Sequence, residues 1–388
     1  MSSTLPLIRE LMMGHTGAPE EARIFSLVEQ LSAEDLNALL TQDGDRLFST
    51  LDNRLFGPDF RNDLVTLVGR RRIGDLDLHG RAALLHALQV GRTSSAEEHL
   101  MADVLCGVVG AELTQLKNIV NLQTDRHALD GLIWADIDDQ PVRQRILDHF
   151  AQQTVGVEVR EAKVLSDIDD TVFCALHDRR YPKGTLYPGV IAFQEALDEG
   201  PQDCPRSVGD LTFVTARPGD VFGIVERHSR SSLRHAGAGD LSVLSGSLLS
   251  LRTLDAMAAK KVENITRYAL IYPEYRLIFM GDSGQGDVMV GQRLWEEYPS
   301  ALDAVFIHDV VDTPQERRDE LASQKVWFHD TYIGAANKAL ELGLISAGGH
   351  GRVVASAKEA LSQIPWEDAG QQERMEALMA RDEGTTTR

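Results

Sequence analysis

Cysteine is scarce in this chain, with three among 388 residues, at Cys106, Cys174 and Cys204. The number is odd, the spacing is wide, and no Cys-x-x-Cys pair or His/Cys zinc pattern occurs. Neither a disulfide framework nor a zinc module is therefore expected, and a reducing compartment fits. Positive charge is short as well: 39 Lys and Arg against 59 Asp and Glu leave a net charge of -20. Such a chain repels a polyphosphate unless a strong local basic patch meets it, so nucleic acid is not expected as a partner. The triplet Arg70, Arg71, Arg72 reads as a solvated turn. The opening segment MSSTLPLIRELMMGHTG has no apolar core of the signal-peptide kind, and no run approaches the ~18 apolar residues of a membrane span. A cytoplasmic protein is expected. Peripheral contact with a membrane stays open, because a small basic face can dock an acidic protein.

What is present is enough chain for two domains, each with its own core. Residues 1–17 read as a flexible start, and residues 18–152 as an all-helical domain. Ile24, Leu27, Val28 and Leu31 follow the i, i+3, i+4, i+7 spacing of one buried face. Ser32 caps the next helical pattern, with Leu36, Leu39 and Leu40 inward. Leu64, Leu67 and Val68, then Leu84, Leu85 and Leu88, repeat the signal. Nothing there reads as a strand, and no motif names a protein partner for this domain.

The texture changes near Thr154, where VGVEVREAKVL alternates valine with polar residues. Across residues 153–346, short apolar runs (DLTFVTARP, DLSVLSG, RLIFMGDSG, AVFIHDV) alternate with helical patterns beginning near Gly189, Val221, Leu254 and Val288. Alternation of this length predicts an α/β fold, a doubly wound, Rossmann-like parallel sheet following the all-helical N-terminal domain. Residues 347–388 read as one more helical stretch and a disordered tail, MARDEGTTTR.

The letters DIDD occur twice, at Asp136 to Asp139 and at Asp167 to Asp170. The first copy precedes Gln140, Pro141 and the amphipathic run VRQRILDHF. An aspartate, Asp138 or Asp139, ahead of a proline in a first helical turn is a capping arrangement, since the carboxylate takes up free N–H groups and proline has none. The second copy ends a predicted strand, KVLS, where a doubly wound sheet presents its ligand crevice. Carboxylates crowded there repel one another unless they share a cation or a proton.

Later strands add to that crevice. FVTARP puts Thr215 at a strand end with Arg217 two residues on. GDSGQGD puts Asp282 at another, followed by Asp287, and the pair Lys260 and Lys261 lies in the helix between. A carboxylate nucleophile, oxygen ligands for Mg²⁺, and hydroxyl and cationic donors for phosphoryl oxygens make a constellation for phosphoryl transfer. The segment GDSG also matches the nucleophile segment of trypsin-like proteases. It follows a buried strand of an α/β sheet here, however, and Gln285 breaks the Gly-x-Ser-x-Gly pattern.

The order SDIDDT, TARP, KVENI, GDSGQGD resembles the haloacid-dehalogenase-like (HAD-type) phosphohydrolases. Within them it resembles the phosphatidate phosphatase branch, over residues 160 to 346. That resemblance implies Asp167 as nucleophile, Asp169 as general acid and then base, and Thr215 with Lys261 on the phosphoryl oxygens, Lys260 being the competing lysine. It implies Mg²⁺ held by Asp167, the Asp169 carbonyl and Asp282, with Asp287 orienting the site, and a structural or electrostatic role for Asp170. Only about twenty residues separate the first motif from the next helix, too few for a cap domain, so an open site is expected. Arg179, Arg180 and Lys183 in that short flap, with Arg217, are candidates to meet an anionic headgroup. The expected function is Mg²⁺-dependent hydrolysis of a phosphomonoester, phosphatidate first. A soluble or protein-borne phosphomonoester, or an interaction role carried by the helical domain, are the alternatives.

Overall fold

The structure is a computed structural model describing residues 4–14, 16–51, 59–90, 93–122, 129–157, 162–203, 211–215, 242–245, 253–366 and 368–385. The chain divides into two compact units, Met1–Val157 and Glu158–Arg388.

The described residues of the first unit are helical throughout. They form α1 (Thr4–Leu11), α2 (Ala18–Glu29), α3 (Ala33–Thr50), α4 (Phe60–Thr66), α5 (Leu78–Gln89), α6 (Ser95–Cys106), α7 (Gly110–Leu122) and α8 (Gln140–Gln153), with π-turns at Leu67–Arg71 and Leu132–Asp136. Local chemistry sets the starts. Ser32 accepts from the Asp35 N–H, and Ser94 with Glu97 forms a reciprocal capping box. Leu84, Leu85, Ala87 and Leu88 of α5 are fully buried, which makes this helix the centre of the unit. The start of the chain differs from expectation: α1 is helical, and Ile8 and Met12 are buried rather than part of a flexible leader.

In the second unit six parallel strands form one sheet. They are β1 (Ala162–Ser166), β2 (Leu211–Thr215), β3 (Ser242–Ser245), β4 (Arg276–Asp282), β5 (Leu302–His308) and β6 (Val326–His329), in the order β3-β2-β1-β4-β5-β6. The chain starts at the centre, winds outward to β3, then returns to β4 on the other side of β1. The crevice of a doubly wound sheet opens at that reversal, beyond the carboxyl ends of β1 and β4. Helices α9 (Val190–Glu199), α10 (Leu254–Ile271), α11 (Asp287–Glu297), α12 (Gln315–Ser323), α13 (Tyr332–Glu341), α14 (Ala347–Ser362) and α15 (Ala369–Thr385) complete the described part of the unit.

Both faces of the sheet are dry, as parallel sheets require. Val164, Ile278, Met280, Ala304 and Phe306 pack with α9 and α13 on one face. Leu165, Phe279 and Val305 are buried as well, and Gly291 of α11 lies so close to Val305 that a Cβ there would stand 2.7 Å from its Cγ1.

Several boundaries depart from the reading of the sequence. The valine-rich run contributes only Ala162–Ser166 as strand. Its first residues end the helical unit, and 158–161 lie outside the described residues. The helix expected near Val221 is outside them too. Strand β6 and helix α12 went unread because VWFH is short and QERRDELAS is almost wholly polar. The tail expected to be disordered is helical through Thr385, with Met375 and Met379 buried and Asp382 accepting from the Thr331 hydroxyl at 2.7 Å. The α/β unit therefore runs past residue 346 to include α14 and α15.

Candidate active site

The site begins with the last residue of β4 and the first residue beyond β1. The Asp167 N–H donates to the Met280 carbonyl at 2.9 Å, which ties the two strand ends together. Asp282 ends β4 and Asp287 opens α11, and both are fully buried. The turn between them can close because residue 281 is glycine: a Cβ there would meet the Asp287 Cβ at 2.5 Å. Lys261 reaches in from the middle of α10. Its Nζ donates to Asp167 Oδ1 at 2.8 Å and to Asp287 Oδ1 at 2.6 Å.

The electrostatics follow from crowding. Burial, opposed by Lys261 and reinforced by Asp287, pushes the Asp167 carboxyl up to about 7. Burial and the charges of Asp287 and Asp167 push Asp282 well above the ordinary carboxylate range. Burial works against the charge on Lys261, but two carboxylates within hydrogen-bond reach overcome it and hold the ammonium above its usual value. With one lysine for three acids, the crowding is relieved only by a shared proton or a further cation.

Asp167 Oδ2 is buried with no hydrogen-bond partner among the described residues, although oxygens of Asp167, Asp282 and Asp287 all lie within 4.8 Å of one another. An orphaned carboxylate oxygen beside two further acids costs free energy unless a cation completes it. An all-oxygen donor set suits a hard divalent cation such as Mg²⁺. The residues therefore fit a metal.

Asp170 does something different. Its φ of 56° lies in the left-handed region, which aspartate tolerates better than most residues. Its carboxylate accepts from the Ala175, Leu176 and His177 N–H groups at 2.8, 3.0 and 2.6 Å, folding the flap down onto β1. Its carbonyl accepts from His308 Nδ1 at 2.9 Å, while Arg180 Nη2 donates to His308 Nε2 at 2.9 Å. Both bonds require the neutral Nδ1–H imidazole. Burial and the Arg180 guanidinium push His308 down to about 3. Tyr332 donates its hydroxyl to the Thr171 carbonyl, so the loop after β1 is held from two sides.

Residues 162–309 match the family model described as Phosphatidate phosphatase APP1, catalytic domain. Over this stretch the chain is similar to the catalytic domain of that family. The match spans less than half of the chain and leaves the helical unit outside it. No curated protein and no solved structure is found to match the chain. The phosphatidate phosphatase family is a family of phosphoric monoester hydrolases, and the chain is an enzyme of that class.

Within this phosphatase domain the sequence-predicted residues fare unequally. Asp167, Lys261, Asp282 and Asp287 come together. Asp169 is half-buried three residues past the strand end. Lys261 is the lysine of the site, whereas Lys260 is paired with Glu263 at 2.9 Å on the outer face of α10. Thr215 ends β2, one strand from Asp167. Arg217 lies outside the described residues. Arg179 and Lys183 are exposed in the flap.

Arg180 is a correction. It is buried, held by Asp178 through two bonds at 3.0 and 2.9 Å and by the Asp330 carbonyl, and its free face is spent on His308. An arginine so buried and engaged braces the loop and is not presented to a headgroup. Sequence reasoning missed His308 and Tyr332 because neither stands in a motif: they sit 138 and 161 residues from their partners.

Proposed function

We propose that this chain is a Mg²⁺-dependent phosphatidate phosphatase working through an aspartyl-phosphate intermediate. The observation that carries the reading is the divided environment of Asp167: one oxygen is held by Lys261, and the other is buried and unpartnered among acids. Asp167, Asp282, Asp287 and the Asp169 carbonyl would hold the metal. Bound there, Mg²⁺ supplies charge neutralisation for the phosphoryl oxygens.

The protein's own groups then divide the work. Asp167 attacks phosphorus, the bond from phosphorus to the lipid oxygen breaks, and the departing alkoxide takes a proton from Asp169 to leave as diacylglycerol. Asp169, now a carboxylate, takes a proton from a water molecule that attacks the acyl phosphate. The bond between phosphorus and Asp167 breaks, releasing phosphate and restoring both carboxyl groups. Lys261 and the Thr215 hydroxyl hold the phosphoryl oxygens through both steps.

The test is phosphate release from phosphatidate in detergent micelles beside a panel of soluble phosphomonoesters, with Mg²⁺, with EDTA, and with Asp167→Asn. Release from phosphatidate that requires both the metal and Asp167 is expected. Release from the soluble esters alone would keep the chemistry and remove the lipid.

A further inference from the structure

Large apolar side chains exposed among the described residues of the α/β unit are Leu176, Leu254, Leu270, Val311 and Leu342. Three of the five sit on segments packed against a single turn, residues 283–286, between Asp282 and Asp287. Leu176 is in the flap, whose neighbouring His177 lies on Gly284 so closely that a Cβ there would stand 2.8 Å from the ring. Leu254 opens α10, and its carbonyl oxygen lies 3.1 Å from a Cβ built on Gly286. Val311 follows β5 in a loop tied to the turn, since Ser283 Oγ donates to Asp309 Oδ1 at 2.7 Å and accepts from the Val310 N–H at 2.9 Å. Leu176 is 43%, Leu254 49% and Val311 49% exposed. Single exposed apolar residues need no explanation. Three around the mouth of one catalytic crevice do.

Charge at this rim runs against the rest of the chain. Four acids beside it are paired: Asp178 with Arg180, Asp255 with Arg293, Asp309 with Arg318 and Asp312 with Arg374. Arg179 and Lys183 are exposed and carry no ion pair with any described residue. On a protein of net charge -20, the flap thus offers two free cations beside exposed leucine.

We propose that Leu176, Leu254 and Val311, with Arg179 and Lys183, form the surface by which the enzyme rests on an anionic lipid–water interface. The inference rests on the lipid reading of the site and specifies which face meets the lipid. Apolar tips enter the headgroup boundary and the cations meet anionic headgroups, the combination by which peripheral proteins bind reversibly. The crevice then opens onto the bilayer, so a phosphomonoester headgroup reaches Asp167 without leaving its acyl chains.

The experiment is flotation of the full chain with phosphatidylcholine vesicles, with and without phosphatidylglycerol, an anionic lipid that is no phosphomonoester. Binding is thereby read without turnover. The wild type should float with the anionic vesicles, less as salt rises. The pair Leu176→Glu with Val311→Glu should weaken vesicle partition at least tenfold at an unchanged melting temperature, and Arg179→Ala with Lys183→Ala should remove most of the salt dependence. A wild type that does not float, or a glutamate pair that floats equally well, overturns the inference. Failure to hydrolyse phosphatidate in micelles would count against the activity instead, and flotation would still decide the surface.

Discussion

The string Asp-Ile-Asp-Asp is written twice in this chain, and the two copies have opposite fates. In the helical unit the copy is a turn on the surface. Asp138 is exposed, Asp136 accepts from Gln89 at 2.8 Å, and Asp139 caps α8 by accepting from the Val142 N–H at 3.3 Å. In the α/β unit, Asp167 and Asp170 are buried. One faces an ammonium and two further carboxylates, and the other clamps three N–H groups of a flap. The side chains are the same. What differs is what the backbone leaves free to be bonded: helix-start amides in one case, a crevice at the reversal of a sheet in the other.

The comparison breaks if the first copy matters to turnover. Asp167→Asn should lower phosphate release on the order of 10³-fold or more, as removal of a nucleophile does, while Asp138→Asn should leave it within about twofold. Steady-state kinetics on both purified variants decides it.

Next in size is the lysine pair. Lys261→Met leaves Asp167 and Asp287 buried without their cation, at a cost of about 3–5 kcal/mol by urea unfolding, as for a buried pair broken on one side. Lys260→Met removes only a surface ion pair and should cost less than about 1 kcal/mol. Equal effects would mean that Lys261 is not held as described.

Acid sharpens the contrast, because only the second copy hangs on an imidazole. His308 folds with its pKa lowered to about 3 from an ordinary 6.5. The unfolded chain therefore binds a proton that the folded chain refuses between those values. Its contribution is fully present above about 6.5 and is lost as pH falls towards 3. The melting temperature should decline across that window, and His308→Gln, which keeps a neutral side chain, should flatten the decline. A parallel decline in the variant would assign it to other groups.

The smallest effect belongs to the cap. Asp139→Ala should destabilise the helical unit by about 1 kcal/mol, the usual worth of an N-cap, with phosphate release unchanged. Thermal unfolding monitored by circular dichroism measures it.

Much of the fold was legible because periodicity is a local property. The 3.6-residue spacing of Ile24, Leu27, Val28 and Leu31 and the buried runs of β2, β4 and β5 announce themselves within a few residues. The candidate site was legible for a related reason: its acids stand at strand ends, where a short motif and a strand boundary coincide. Val326–His329 escaped because four residues carry too little pattern, and Ala369–Thr385 because its helix is stabilised by a few buried contacts on an otherwise polar sequence.

Arg180 was misread for want of a distance. In sequence it is one of two adjacent arginines in a loop, indistinguishable from Arg179. Folded, Arg179 stays in solvent while Arg180 turns inward to Asp178 and His308.

By itself, then, the sequence determined the class of each unit, the caps that start its helices, and the set of acids, hydroxyl and lysines proposed for phosphoryl transfer. These depend on side-chain chemistry and on neighbours within a turn or a strand. Only the tertiary structure decided which lysine faces Asp167, which arginine is spent on structure, and that one Asp167 oxygen has no partner among the described residues. Those outcomes depend on burial and on partners nearly a hundred residues or more away, such as Lys261 and His308, and no local pattern encodes such distances.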